Sequence, residues 1–285
     1  MFMVLNKVTF AILFFVMPLA ANCQQEIKIM SFNIRLDVAS DGENRWDLRK
    51  EKVAGLMNYY AADFIGSQEV LHHQLKYLLE NMNGYGFIGG GRDDGKEAGE
   101  YSCIFYNSNK FTLIKKATFW LSPTPDTVSK GWDAALNRVC TYGLFKSKKT
   151  KQLVWVFNTH LDHVGKIARQ ESARLIVKRI AALNTKGYPV ILTGDFNLKP
   201  EEEPIQYISS QMQNARTASK LVYGTPDTWN GFKFSEKPNG TIDYIFTNNH
   251  KKLSVTKFGT LTDSYDLKYP SDHFPVMATM LLSKR

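Results

Sequence analysis

Asp195 and Asn197 stand one phenylalanine apart at the end of "PVILTGDFNLKP", directly after an apolar, β-branched run. A carboxylate and an amide at the mouth of a buried strand are costly unless something pairs with them. The same plan recurs along the chain. "EIKIMSFNIRLD" reaches Asn33, "AADFIGSQEV" ends at Glu69, and "QLVWVFNTHLDH" ends in Asn158, His160 and Asp162. "GTIDYIFTN" carries Asp243, and "YPSDHFPVMATMLL" places Asp272 and His273 just before the last apolar run. Any one such end is a turn residue bonding nearby backbone. So many ends of the same kind instead suggest a site assembled from several strands: hard oxygen donors for a cation, with imidazoles to move protons.

Magnesium takes one or two carboxylates beside a substrate phosphate, in octahedral oxygen coordination. Glu69, Asp195 and Asp272 are suitable donors, and Asn33 and Asn197 can add amide oxygens or orient water. Manganese can stand in for magnesium at such a site. No cysteine or histidine cluster has zinc spacing. Histidine titrates near neutrality, which suits His273, and Asp243 could fix its tautomer. Trp132 and Trp229 fall in loops, and Trp229 is the one favoured for substrate contact, by stacking on a base or sugar. "GGRDDGKE" at 90–97 nearly spells a nucleotide-binding loop. Glu97, however, occupies the place of the magnesium-binding hydroxyl, and a strand follows where a helix is required. That loop, with Arg92, is expected at the rim of the site.

The elements that must position these residues are legible from periodicity. Trp46 to Tyr60 has Val53, Leu56, Met57 and Tyr60 at helical spacing. Leu71 to Asn81 reads as a second helix. Lys166 to Asn184 reads as a third, with Ala168, Leu175, Ile176, Ile180 and Leu183 on one face, stopping near Gly187 and Pro189. Between 100 and 160, strands follow one another through short turns. Hairpin strands mixed with crossover helices predict α/β architecture, with sheets packed together and helices outside.

Taken in order, "SFNIRLD", "GSQEV", "NTHLDH", "LTGDFNLKP", "TIDYIF" and "SDHFPV" resemble the endonuclease/exonuclease/phosphatase superfamily, deoxyribonuclease I-like, from Ile27 to Leu282. The likeness is greatest to its uncharacterised secreted bacterial branch. The resemblance implies a four-layer α/β sandwich, two packed mixed β-sheets flanked by helices, and divalent-metal hydrolysis of phosphoesters by in-line water attack. Carried over by motif, Glu69 is the principal metal ligand, with Asn33 and Asp272 in or beside the metal shell. His273, oriented by Asp243, acts as base or supports the attacking water electrostatically. Asp195 positions the nucleophile, Asn197 holds a phosphate oxygen, and His160 stabilises the phosphorane-like charge or assists the leaving group. Arg138 matches a phosphate-contacting arginine of deoxyribonuclease-like members, able to grip two oxygens. Glu100 is expected to pair with His160 and keep it protonated.

The chain has 285 residues, 44% hydrophobic and 13% aromatic, with a formal net charge of +9. It can bury a large core and is neither disordered nor collagenous in composition. The first 23 residues carry Lys7, an apolar run from Val8 to Ala21 and then small residues, as an export signal does. Residues 24–285 are then expected as a single domain, secreted or periplasmic. A lipid-anchored Cys23 is disfavoured, because Asn22 sits where a small residue is expected. No later stretch is long enough for a stable membrane span. Cys103 and Cys140 fit either a disulfide or two free buried thiols. The expected partner is a phosphate ester, with nucleic acid a candidate because basic surfaces attract phosphate; no protein partner is inferred. Sugar-phosphate and phospholipid esters remain open, although no exposed aromatic hairpin suggests membrane action. A catalytically silent phospho-ligand-binding module would be the alternative class. Such decayed enzymes usually lack a metal or proton-transfer residue, and none is missing here.

Overall fold

Alternation along the strands sets the architecture. On β1 (Gln24–Asn33), Ile27 and Ile29 point one way, and Met30 and Phe32 the other. Both sets are fully buried, so the strand is covered on both faces. The computed structural model describes residues 24–283 together with Met1 and Met3, and the expected export signal lies outside the described residues.

Strand β1 belongs to a mixed seven-stranded sheet with β2 (Phe64–Val70), β3 (Tyr85–Ile88), β4 (Tyr101–Asn107), β10 (Leu221–Tyr223), β12 (Leu253–Thr260) and β13 (Val276–Ser283). Its order is β10-β12-β13-β1-β2-β4-β3. A mixed six-stranded sheet holds β5 (Phe111–Trp120), β6 (Val139–Ser147), β7 (Leu153–His160), β8 (Val190–Asp195), β9 (Gln213–Asn214) and β11 (Asp243–Thr247), in the order β5-β6-β7-β8-β11-β9. The central pairs β1–β2 and β7–β8 are parallel.

Three cores separate four layers. Between the sheets lie Ile27, Ile29, Phe64, Phe145, Val154, Val156, Ile191 and Ile245. The outer face of the first sheet packs Met30, Phe32, Ile65 and Phe105 against α1 (Trp46–Tyr60) and α2 (His72–Asn81) through Val53, Met57, Leu75 and Leu78. The outer face of the second packs Phe157, Leu192 and Phe246 against α3 (Lys166–Leu183) and α4 (Glu203–Gln211). This is the expected four-layer α/β sandwich. A single turn, α5 (Ala215–Ala218), follows β9. Helices α1 to α3 lie where periodicity placed them.

Helix α4 was not anticipated from the sequence, although Pro204 and Glu203 in its first turn are start signals. Cys103 and Cys140 are both free and buried. They face opposite outer cores, one against each helix layer, which settles the open choice against a disulfide. None of the described helices is long and apolar enough to cross a membrane.

Candidate active site

The inter-sheet layer changes character along its length. On β1 the residues in phase with Ile27 and Ile29 are Ser31 and Asn33. On β7, Val154 and Val156 give way to Asn158 and His160, and on β8, Ile191 gives way to Thr193 and Asp195. Strand β11 runs the other way and contributes Asp243 before Ile245. All these polar residues are buried, so each must find a partner. Asn158 finds its partners across the sheets: its amide donates to Ser67 O (2.9 Å) and Cys103 O (2.8 Å), and its oxygen accepts from Gln68 and Thr193. Gly66 permits this approach, since a Cβ there would lie 2.1 Å from Thr193 Oγ1. Asn158 is thus a clamp between the sheets.

Beyond the clamp the side chains converge. Asn33 Nδ2 donates to Asp195 Oδ2 (2.9 Å) and Glu69 Oε1 (3.0 Å), and lies 3.5 Å from His273 Nε2. Asn33 Oδ1 accepts from the Arg35 amide (3.0 Å). His273 Nδ1 is 2.9 Å from Asp243 Oδ2, and its Nε2 is 3.8 Å from Asp195. His160 Nε2 is 3.0 Å from Asn197 Nδ2 and 3.4 Å from Asp195 Oδ2. Glu69 adopts a left-handed φ of 60° at an irregularity in the β2–β4 pairing, a strained conformation for that side chain. Two groups, Glu69–His160–Asp195 and Asp195–Asp243–His273, bring their ligand atoms within 4.8 Å of one another. Asp272 stands slightly apart. It reaches Glu69 through Arg35, whose Nη1 is 3.8 Å from both carboxylates.

The charges do not balance without help. Burial, reinforced by Asp243, raises Asp195 to about 7 against the pull of His273 and Asn33. Burial also raises Asp272, with Glu69 adding to the effect. His273 is held well above the usual histidine range because Asp243 and Asp195 outweigh its burial. Glu69, Asp195, Asp243 and Asp272 thus form an oxygen-rich set that outnumbers the cations facing it, Arg35, Arg49 and His273. Such a set fits a hard divalent cation, and in this geometry Asn33 turns its NH2 toward the carboxylates.

A cleft of about 540 Å³ opens over these residues. Glu69, Glu100, Arg138, His160, Asp195, Asn197, Trp229, Asp272 and His273 line it, whereas Asn33 and Asp243 act from behind its wall. Two expectations change. Glu100 is engaged by Arg92 at 2.7 Å and lies 4.0 Å from His160 Nδ1. Burial and the neighbouring Arg138 and Arg92 push His160 well below the usual range, so it is neutral rather than held protonated. Asn197 Nδ2 donates to Leu161 O (3.1 Å) and lies 3.0 Å from His160 Nε2. Arg92 is buried behind the wall against Glu100, off the rim. Arg138 is also buried, bonded to Asp162 Oδ2 (3.3 Å) and His163 Nδ1 (3.0 Å), with Nη1 unpartnered. Trp229 is 38% exposed at the mouth.

Sequence reasoning passed over Arg35 and Arg49. Arg35 was visible within "SFNIRLD". Arg49 was betrayed by spacing, because it precedes Val53 by one helical turn on the face that α1 buries.

The profile of the Endonuclease/Exonuclease/phosphatase family matches residues 30–273. The chain belongs to that family. Among solved family structures, an endonuclease/exonuclease/phosphatase family protein from Bacteroides thetaiotaomicron is 37% identical, with a TM-score of 0.88, covering 92% of this chain and 97% of that one. The mannosyl-6-phosphatase of Bacteroides thetaiotaomicron VPI-5482 is 38% identical, with a TM-score of 0.86, covering 89% and 99%. Among curated family relatives, nocturnin of Mus musculus is 23% identical over 287 residues, covering 88% of this chain and 64% of its own length. The chain spans less than two thirds of the length of the first curated relatives it matches.

Proposed function

We propose that the chain is an exported, divalent-metal-dependent phosphoester hydrolase acting on the phosphomonoester of a small sugar-like alcohol. The observation that carries this reading is the convergence of Glu69, Asp195, His273 and His160 around Asn33 at one end of the inter-sheet layer. Glu69 would hold Mg²⁺, or Mn²⁺ in its place, with Asp195 and Asp272 beside it. The ion would neutralise charge on phosphoryl oxygens and lower the pKa of bound water. Asp195, held by Asn33 Nδ2 at 2.9 Å and lining the cleft, is placed to orient the attacking water or take its proton. His273, kept cationic by Asp243 and Asp195, stabilises charge on the phosphoryl group.

Two features support the small substrate. The 38% identical relative is named a mannosyl-6-phosphatase, and a cleft of about 540 Å³ is in the range of small-ligand sites. The cleft lining sets Lys199, Arg35 and Arg138 against Glu69, Glu100, Asp195 and Asp272, so the net positive charge of the chain gives little support to nucleic acid at this site. That second reading rests on distant relatives such as the probable RNA exonuclease of Saccharomyces cerevisiae, 26% identical over 208 residues. Export rests on the first 23 residues, and N-terminal sequencing of the mature protein is expected to read Gln24.

The deciding experiment assays full-length protein on hexose 6-phosphates, RNA and DNA oligonucleotides and bis-p-nitrophenyl phosphate, with Mg²⁺, Mn²⁺ or EDTA. Metal-dependent turnover is expected, best on the sugar phosphates. Glu69→Ala and His273→Ala should each lower kcat/KM by roughly 10³-fold or more with folding retained. Turnover in EDTA, or undiminished activity in either variant, would refute the mechanism. Preference for oligonucleotides would replace the substrate.

A further inference from the structure

We propose that Trp229 is the platform on which the leaving alcohol rests. That alcohol is then a ring joined to its phosphate through one exocyclic carbon, as in a hexose 6-phosphate. The inference rests on the hydrolytic reading above and adds the residue that selects the substrate. Trp229 forms a single antiparallel bridge with His273. The bonds that close it flank the pair: Asn230 N donates to Asp272 O (2.8 Å) and Phe274 N to Thr228 O (2.7 Å). The pair is therefore of the non-hydrogen-bonded kind, with α-carbons about 4.5 Å apart and both side chains on one face. Both residues line the cleft. The indole thus stands beside the imidazole that would face the phosphoryl group.

The indole is also held in place. Gly231, at a φ of 58°, packs against its six-membered ring: a Cβ added there would lie 3.1 Å from Cζ2 and 3.3 Å from Cη2. Gly231 N donates to Asp272 O (3.0 Å), and Trp229 O accepts from Asn239 N (3.0 Å). Backbone covers one part of the ring, yet Trp229 stays 38% exposed at the mouth. Among the described residues, no other Phe, Tyr or Trp lines this cleft. An aromatic surface left open among carboxylates is stabilised when the C–H face of a ring covers it and water leaves both.

Donors stand next to this platform. The stem of Lys199 runs past Gly240, where an added Cβ would lie 3.7 Å from Lys199 Cε. Gly240 O in turn accepts from Trp229 N (3.3 Å). Lys199 and Asn239 both line the cleft, and their ammonium and amide groups are donors suited to ring hydroxyls. Distance decides which ring is stacked. In a hexose 6-phosphate the pyranose begins one carbon from the phosphate ester, within reach of a neighbour of His273. In a nucleotide the ribose comes first and the base lies beyond it.

The test compares mannose 6-phosphate, glycerol 3-phosphate and adenosine 5′-monophosphate on the full chain, with Mg²⁺ or Mn²⁺. All three are esters of a primary alcohol, so the chemistry is constant and only the alcohol differs. Trp229→Ala should lose roughly 10- to 100-fold of kcat/KM on mannose 6-phosphate, mainly through KM. Stacking needs a ring, so the loss on glycerol 3-phosphate should be at least about fivefold smaller. Trp229→Phe should retain most of the hexose activity. Equal losses on the hexose and glycerol esters would make Trp229 a support for His273 and overturn the proposal. A larger loss on the nucleotide, placing the base on the indole, would also overturn it, as would no loss at all. Calorimetry of mannose 6-phosphate on the Glu69→Ala chain reads binding without turnover, and adding Trp229→Ala should weaken it by a similar factor. If the unaltered protein hydrolyses none of the three esters, the hydrolytic reading fails, and the calorimetric loss decides the platform on its own.

Discussion

Asp162 is 1% exposed and still ionised. Burial opposes its charge, but the amides of Gly165 and Val164, at 2.8 and 2.9 Å, and the Arg138 guanidinium hold it below the usual carboxylate range. A carboxylate depressed on folding contributes stability above its unfolded pKa, about 3.9, and loses it as the pH falls through the folded value. Asp162→Asn should therefore destabilise by about 1–3 kcal/mol at pH 7, a gap that begins to narrow only below about pH 4 and is still open at pH 3. Urea titrations at several pH values measure this, and a gap independent of pH would contradict it. At this scale the sequence was most informative about residue type. Asn, Asp, Glu and His at strand ends were visible, and Asn33, Glu69, Asp195, Asp243 and His273 do meet. Their partners were not visible: nothing in "EYSCIFYN" shows that Arg92 takes Glu100 from His160, since that depends on how a distant loop folds back.

Helix α1 does more than cover the first sheet. From its buried face Arg49 donates to Ile34 O and Arg35 O, just past Asn33, to Asn44 O at 2.8 Å, and to Pro270 O at 3.1 Å, two residues before Asp272. One guanidinium thus fastens the loops leaving β1 and entering β13, and with them two sides of the cleft. Burial lowers Arg49 to about 10, so it stays charged at neutral pH. Arg49→Met would strand several buried carbonyls at about 1–3 kcal/mol each. A loss of about 3 kcal/mol or more is expected, with kcat falling as the loops loosen. Lys50→Met, on the exposed side, should stay within about 1 kcal/mol. Urea unfolding and steady-state kinetics on the pair decide the matter; equal stability of the two variants would rule out the fastening role. Elements with a strong apolar period were legible, as α1, α2 and α3 show. Helix α4 was not, because only nine residues spanning two and a half turns carry its signal.

At the scale of the whole molecule, periodicity predicted sheets packed between helices, and the ordered motifs supplied the four-layer arrangement. The distribution of charge could not be read the same way. A net +9 suggested a phosphate-bearing partner, whereas folding sends seven lysines to the pole opposite the cleft, around the β6–β7, α3–β8 and β11–β12 turns, and leaves the cleft rich in carboxylates. That excess gives a global prediction. A cation bound only by the folded chain stabilises it by RT ln(1 + [L]/Kd), about 2.7 kcal/mol at a hundredfold excess over Kd. For a chain of this size each kcal/mol moves Tm by about 2–4 °C, so saturating Mg²⁺ or Mn²⁺ should raise the melting midpoint by about 5–10 °C. EDTA should reverse the rise, and Glu69→Ala should abolish it while the protein remains folded. The readout is independent of any substrate, so it separates the metal from the ester it acts on. An unchanged midpoint with either ion would mean that Glu69, Asp195 and Asp272 share their charge only with Arg35, Arg49 and His273, and the hydrolytic proposal would lose its cation.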